Sequence, residues 1–387
     1  MTAPALFYVQ HLKGIGHIVR SARIVAAMVE AGMQVTVAFG GAPVAGFGFP
    51  GADVRQLAPI RSADGGFSVL LDGEGREIDE AFKARRRDSL LALYDAVQPD
   101  LVVTEMFPLG RRAMRFELVP LIERIAADPR RPRLAASVRD ILQTPRDADK
   151  AERQVALAAR HYDLLLVHGD PTFAALEGSF PQAAAIMDRV RYTGFVGPRL
   201  AVAPLADDAR VDVVVSVGGG AVGAEILAAA IAAKPLTTLA DARWLLLTGP
   251  NVASDTAQRL ASAAEAAGVG IETFRRNLPD TMRAARLSIQ MAGYNTVADL
   301  MAAGCRAVLI PYVEAGETEQ ETRAARLVAM QRGVILPIDR LDAASLSAAV
   351  DAALALPPPV MEVKGFGLDG ARESARLLTE LLASPRR

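Results

Sequence analysis

One local order occurs twice in this chain, and it restricts the fold more than any other feature. Residues 5–9 are an apolar run that enters the loop Gln10-His11-Leu12-Lys13-Gly14-Ile15-Gly16-His17, and residues 18–31 then carry a helical pattern. In the second half, residues 211–217 are a strand-like run, 218–223 a glycine loop, and 224–232 a helical stretch. Each opening is followed by another strand pattern, at 34–39 and at 244–248; in the first, Val35, Val37 and Phe39 alternate. A strand, a helix and a second strand in this order form a βαβ unit, whose crossover requires parallel strands. Two such openings predict two Rossmann-like halves.

The remaining patterns extend each half. Residues 79–97 read as a helix bearing the basic run Arg85-Arg86-Arg87, and 101–104 as a buried strand with Glu105 at its carboxyl end. A helix over 111–127, a strand over 134–138 ending in Arg139-Asp140, a helix over 147–160 and a strand over 164–167 ending at His168 follow. Such alternation predicts an α/β fold with a doubly wound parallel sheet. Residues 40–78, rich in Gly and Asp, read as loop with short strands. Glycine and proline concentrate over 192–204, where periodicity stops, so the division is placed there. The domains are read as 1–198, 199–364 and a last helical segment, 365–387. In that segment Ala371, Ala375, Leu378 and Leu382 share one face.

Bulk properties narrow the function classes. With 387 residues the chain exceeds one ordinary core. A net charge of −1 gives no reason to expect nucleic acid as a partner. The one cysteine, Cys305, forms no intrachain disulfide. The N-terminal residues lack the basic start and long apolar run of a signal peptide, and no apolar stretch reaches the about 18–20 residues that span a bilayer. A cytoplasmic protein is expected, its oligomeric state left open.

The glycine loops are the first candidate sites. Gly218-Gly219-Gly220-Ala221-Val222-Gly223 fits G-x-G-x-x-G between a strand and a helix, where backbone N–H groups and the helix N-terminus favour phosphate. A tight turn is the alternative. A nicotinamide or flavin dinucleotide would also need an acid at the tip of the next strand, and that tip is Gly249-Pro250. In the N-terminal loop, Gly14 and Gly16 admit a ligand near the backbone. His17 falls at the helix start, as a proton acceptor or as a brace for the loop.

The second candidate is residues 289–327, which read as strand end, Gly-Tyr-Asn-Thr turn, helix, buried strand, acidic loop and helix. Asn295, Thr296, Asp299, Glu319 and Gln320 gather where α/β sheets bind ligands. Thr296 and Asp299 also have capping-box spacing, and Glu319-Gln320 also suit a plain helix start.

These pieces resemble the C-terminal domain of glycosyltransferase family 28, a group that includes the N-acetylglucosaminyltransferase of peptidoglycan assembly and related glycosyltransferases. The resemblance rests on SVGGGAVGAEIL, QMAGYNTVADLMAAGCRAVLIP and GETEQETRAARL, and, in the first half, on FYVQHLKGIGHIVRSARIVAAM. It implies a GT-B fold, with two Rossmann-like domains facing across a cleft and a C-terminal helix crossing back to the first. The donor, a nucleoside diphosphate sugar and usually a UDP-sugar, belongs to the second domain and the acceptor to the first. By position, Gly219, Gly220 and Ala221 would line the diphosphate, and Phe274 and Arg275 would lie at the nucleobase. Gly293, Asn295 and Thr296 would approach the phosphates, and Asp299 would stand for the family's ribose-binding Glu. Gln320 would bind donor-sugar hydroxyls, with Glu319 in place of the residue, often His, that precedes it.

In such a transferase an acceptor hydroxyl attacks the anomeric carbon and needs a base within reach. His17 is the leading candidate and Glu105 the second, with a plain ion pair to Arg111 or Arg112 as the alternative for Glu105; Asp140 is third. The resemblance favours inversion. Helix N-termini at the two glycine turns can stabilise the leaving diphosphate, so no metal and no cofactor beyond the donor is expected. The single Asp-x-Asp, Asp147-Ala148-Asp149, begins a charged helix. Arg111, Arg112 and Arg115 read either as a solvated helix face or as a receptor for an anionic acceptor or membrane surface. A nucleotide-sugar epimerase or hydrolase, an NAD-dependent oxidoreductase, and a non-catalytic binding protein are the competing functions.

Overall fold

A computed structural model of the chain describes residues 3–12, 14–63, 69–143, 147–201, 210–218, 223–249, 252–275, 277–312, 318–358 and 366–385. It divides into two compact units: unit 1 comprises Met1–Val196 and Gly365–Arg387, and unit 2 comprises Gly197–Lys364.

The strands of unit 1 are β1 (Pro4–Val9), β2 (Gln34–Phe39), β3 (Asp53–Gln56), β4 (Arg61–Ser62), β5 (Leu70–Leu71), β6 (Leu101–Glu105), β7 (Arg133–Arg139), β8 (Leu164–His168) and β9 (Val190–Tyr192). Its helices are α1 (Gly16–Glu30), α2 (Glu80–Val97), α3 (Arg115–Ala126), α4 (Ala148–His161) and α5 (Leu176–Ser179). Unit 2 holds β10 (Val213–Ser216), β11 (Trp244–Leu247), β12 (Gly270–Glu272), β13 (Leu287–Gln290), β14 (Ala307–Leu309) and β15 (Gly333–Ile335). Its helices are α6 (Ala224–Ala233), α7 (Ser254–Ala266), α8 (Leu278–Ala284), α9 (Tyr294–Ala303), α10 (Glu319–Ala329) and α11 (Ala343–Leu354). The last helix, α12 (Gly370–Ala383), belongs to unit 1.

Both main sheets are parallel and doubly wound. Unit 1 is ordered β3-β2-β1-β6-β7-β8-β9 and unit 2 is ordered β12-β11-β10-β13-β14-β15. Winding therefore reverses between β1 and β6, and between β10 and β13. At such a switch point the connections leave in opposite directions, which opens a crevice outside the carboxyl ends of the strands. The two loops that follow the first strand of each unit lie there.

Alternation along β1 supplies both cores of unit 1. Leu6 and Tyr8 join the cluster built on Leu90 and Tyr94 of α2 and on Leu118 and Leu121 of α3. Ala5, Phe7 and Val9 point the other way, toward Ile18, Ile24 and Met28 of α1 and Ala375 and Leu378 of α12. A parallel strand is covered on both faces, hence its unbroken apolar run. The chain returns to unit 1 through an antiparallel bridge, Val196 to Asp369. Phe195 N–H donates to Gly367 O at 2.7 Å, and Gly370 N–H to Phe195 O at 3.0 Å. A side chain at Gly370 would bring a Cβ within 2.5 Å of Gly194 O, so the two passes meet only as glycines.

Several elements depart from the sequence reading. Residues 40–78 contain β3, an edge strand paired with β2 whose four residues are all exposed, so no apolar alternation marks it. The short strand β9 and helix α11 were not anticipated; α11 consists largely of alanine and begins at Asp342, whose side chain accepts from Ser345 N–H. The basic run on α2 is not a surface patch, because Arg86 is buried at 1% exposure. Its Nε donates to Glu117 Oε2 at 2.7 Å, and it also binds Gln10 Oε1 and the carbonyls of Gly40 and Ala58.

Candidate functional site

Unit 1 brings three charged elements to its switch point. Helix α1 begins at Gly16, so His17 and Arg20, three residues apart, share a face. Glu105 is the last residue of β6, directly across the reversal from β1, and is fully buried. His17 Nδ1 lies 2.6 Å from Glu105 Oε1, and an Arg20 guanidinium nitrogen binds the same oxygen. Arg111 Nε lies 3.8 Å from the other oxygen, Oε2.

The electrostatics fix the proton. Burial works to raise the Glu105 carboxyl, but His17, Arg20 and Arg111 together outweigh it and hold it down at about 2. An ionised carboxylate only accepts, so the hydrogen sits on His17 Nδ1 and the lone pair on Nε2. Burial, then the positive charge of Arg111, lowers the imidazole to about 3 against the pull of Glu105. Nε2 makes no hydrogen bond among the described residues, and 22% of the side-chain surface is open. The result is a neutral imidazole, oriented by a carboxylate, with a bare basic nitrogen.

Behind this group runs a closed chain. Ser137, paired in register with Glu105, lies 2.7 Å from His168 Nε2, and His168 Nδ1 lies 2.9 Å from Thr193 Oγ1. Thr193 donates in turn to Gly194 O at 2.8 Å, so His168 donates from Nδ1 and accepts from Ser137. Burial pushes His168 well below the usual histidine range. Ser137 and His168 resemble a nucleophile and base, but both are wholly buried and serve to brace the sheet edge. Asp140, the third candidate base, is also wholly buried.

The three arginines do not act as one group. Arg111 adopts a left-handed backbone, φ +53°, that turns its side chain to 8% exposure beside Glu105, while Arg112 and Arg115 remain exposed. Of the two alternatives for Glu105, Arg111 is adjacent and Arg112 is not, and the tightest partner, Arg20, was missed. Gly14 has no atom within 4 Å of a Cβ built on it, so protein packing does not require a glycine there. Asp147 caps α4, accepting from Lys150 N–H at 3.1 Å.

In unit 2 the residues Gly219, Gly220 and Ala221 lie outside the described residues. The loop they belong to is bracketed by Gly218 at φ +74° and Gly223 at φ +109°. A Cβ on Gly223 would fall 2.6 Å from Val217 Cβ, so this corner admits only glycine. Across the switch point α9 starts from Gly293, an extended N-cap, and Asn295 and Thr296 lie in its first turn. The capping box read at Thr296 and Asp299 does not form: the helix has already begun, and no side chain caps it. Asp299 lies in the second turn. At the tip of β11 stand Thr248 and Gly249, so a dinucleotide's ribose acid has no counterpart there.

Gln320 occupies an unexpected position. Its Oε1 accepts from Ala292 N–H at 3.2 Å and from Tyr312 N–H at 3.1 Å, tying the segments after β13 and β14 to α10. Only its Nε2 retains hydrogen-bonding capacity toward a ligand. Glu319 pairs with buried Arg323 at 3.5 Å, and that guanidinium stands over Tyr294, 5.9 Å from the ring centre. Arg275 clamps Glu272 at the end of β12, with 2.9 Å from Nε to Oε2, and Phe274 beside it is 40% exposed. Replacing Gln320 by Leu leaves two N–H groups unpaired, at about 1–3 kcal/mol each. Urea denaturation followed through Trp244, the sole tryptophan, reads unit 2 directly. Gln320→Leu is expected to lower its stability by about 2 kcal/mol or more, whereas Gln320→Glu, which keeps the acceptor, retains most of it. Equal stability of the Leu variant would deny this role.

Residues 214–362 match the glycosyltransferase family 28 C-terminal domain. Among curated relatives, the chain is 31% identical over 167 residues to the UDP-N-acetylglucosamine--N-acetylmuramyl-(pentapeptide) pyrophosphoryl-undecaprenol N-acetylglucosamine transferase of Mesorhizobium japonicum, covering 42% of this chain and 44% of that one. It is 30% identical over 197 residues to the enzyme of the same name from Rhodospirillum centenum, covering 47% and 51%. The chain thus spans about half the length of the curated relatives it matches. Solved structures match throughout: the calicheamicin glycosyltransferase CalG4 has a TM-score of 0.61 at 17% identity, with 99% and 98% of the two chains covered. MurG of Acinetobacter baumannii has a TM-score of 0.55 at 13% identity, with 98% and 99% covered. At these identities the likeness establishes the fold, the α/β GT-B fold of glycosyltransferases.

Proposed function

We propose that this chain, whose second unit carries a glycosyltransferase family 28 C-terminal domain, moves a sugar from a UDP-sugar to an acceptor hydroxyl, with His17 as the general base. The observation that carries this reading is the His17–Glu105 pair, which leaves a neutral Nε2 bare at the switch point of unit 1. As the acceptor oxygen bonds to the anomeric carbon, its proton passes to Nε2 while the bond from that carbon to the phosphate oxygen breaks. The uridine diphosphate departs with the electron pair. One displacement inverts the anomeric centre. Glu105, ionised throughout, stabilises the imidazolium that forms.

Unit 2 supplies the donor side. The curated relatives' names specify a UDP-sugar, which supports uridine as the base. Negative charge grows on the leaving diphosphate, and the N-terminus of α9, with its partial positive charge, is suited to meet it. This reading needs no metal and no cofactor beyond the donor, and it assigns a cytoplasmic setting in which the buried thiol of Cys305 stays reduced. Among the described residues no helix is long and apolar enough to cross a membrane.

A panel of nucleotide sugars tests the reading. Calorimetry is expected to show UDP binding, and mass spectrometry to show glycosylated product with a co-purified or supplied acceptor, in excess EDTA as in its absence. Failure to bind any nucleoside diphosphate would exclude a transferase. Free sugar released without an acceptor would shift the assignment to a hydrolase, and loss of turnover in EDTA would overturn metal independence.

A further inference from the structure

The charges around His17 do not pair off evenly, and the excess falls on Arg111. Arg20 satisfies Glu105 by direct hydrogen bonding to Oε1. Arg111 shares the same carboxylate but stands 3.8 Å from Oε2, close enough for attraction and too far for a hydrogen bond. Its Nε and Nη2 are both enclosed with no hydrogen-bond partner. Yet 8% of the side-chain surface remains open, and neither of those nitrogens provides it.

A guanidinium whose role was to neutralise Glu105 would close that distance, as Arg20 does. Arg111 is instead held back by its own backbone, in a left-handed conformation that residues with a side chain seldom adopt. Burial weakens it, Glu105 steadies it, and Arg139 and Arg20 add repulsion. Glu105 Oε2, likewise enclosed without a hydrogen bond, stands beside Nε, and Nη1 is the guanidinium nitrogen left open to a ligand. A hydrogen bond from this charged, partly enclosed group to an oxygen of a phosphate or carboxylate is strong.

We propose that Arg111 receives an oxyanion, a phosphate or carboxylate group, carried by the acceptor, and thereby brings a hydroxyl of the same molecule to Nε2 of His17. Both groups rest on one carboxylate, His17 on Oε1 and Arg111 toward Oε2, so an acceptor bridging them spans only the width of that carboxylate and its partners. The inference deepens the transferase reading and rests on it for the identity of the bound molecule as acceptor.

Inorganic phosphate and acetate serve as probes, titrated into the full chain at constant ionic strength with chloride as control. With arginine side chains labelled by nitrogen-15, the Arg111 Nε–H resonance is expected to move saturably with one of the two probes, and the stronger probe identifies the group. Arg111→Met is expected to weaken that binding at least about tenfold, with Arg111→Lys between. An Arg111 resonance unmoved by both probes in the folded wild type overturns the inference, and so does undiminished binding in folded Arg111→Met. Should the Met variant not fold, the wild-type resonance decides. UDP affinity measured on the same samples separates the two readings: anion binding without UDP binding removes the transferase and keeps the site.

Discussion

His17→Ala is expected to lower kcat by about a hundred- to ten-thousandfold, with UDP affinity nearly unchanged. The imidazole presents a neutral, oriented nitrogen that makes no hydrogen bond among the described residues and, unlike Nδ1 of His11 in the same loop, is not enclosed. Glu105 cannot take its place, because His17, Arg20 and Arg111 hold its enclosed carboxyl ionised, at about 2. Steady-state turnover and UDP calorimetry on the same preparation check this. A loss below about fivefold would move the base elsewhere. The pH profile tests the same residue. An ordinary histidine base titrates near 6.5, so kcat/KM would turn down below that pH. Here the base is lowered to about 3, its neutral form persists in mild acid, and the acid limb should fall well below pH 6.5. Stability follows the same sign. The contribution from keeping His17 neutral is complete above pH 6.5 and is lost as pH falls toward about 3; that of Glu105 is complete above 4.5 and is lost toward about 2. Acid unfolding, not titration of the base, is then what ends activity at low pH.

Glu105→Gln should cost unit 1 about 3–5 kcal/mol, the largest stability loss expected from a single side chain at the site. Arg20 is 2% exposed and Glu105 0%, so removing one charge strands the other away from water. The amide still accepts from His17 Nδ1–H, so the geometry of the pair survives while its charge does not. An imidazolium forming beside two uncompensated guanidinium groups is unfavourable, and kcat should fall as well. Urea denaturation monitored by far-ultraviolet dichroism measures the first effect. The triple variant Glu105→Met, Arg20→Met and Arg111→Met separates the two, because replacing the carboxylate together with both of its buried cations by apolar groups restores most of the stability. It should not restore turnover. A single variant within about 1 kcal/mol of wild type would show that the pair is not the anchor of this edge.

The parallel, doubly wound sheets, the strand-turn-helix opening of unit 1 and the likeness of residues 214–362 to a family domain were legible because each rests on a local pattern. Parallel strands buried on both faces read as apolar runs, as in residues 5–9 and 101–104. What escaped the reading depended on partners distant in sequence. Strand β3 exposes all four residues and pairs only by its backbone. Arg86 looked like one of three surface arginines, although its helical companions Leu90 and Tyr94, at four-residue steps, are the buried face of α2. That stripe was available as a signal, whereas Arg20 shares its helix with Arg23 and Glu30 and only the fold shows which charge is buried. Gln320 offered no such signal: its two backbone partners come from segments that only the folded sheet brings together. Thr296 and Asp299 had the spacing of a cap, but the helix begins at Tyr294, so the cap position falls on Gly293.

Unit 1 is assembled from two stretches of chain, with all of unit 2 between them. On a translating ribosome, strand β1 and helix α1 emerge before unit 2, yet the face carrying Phe7, Ile24 and Met28 meets Ala375 and Leu378 only after residues 370–383 have been made. Unit 2 is one continuous stretch and can complete its own sheet while the nascent first unit still waits for its closing helix. During that interval this apolar face lacks the cover that Ala375 and Leu378 give it in the folded unit. A circular permutant that places 366–385 ahead of β1 would shorten the wait.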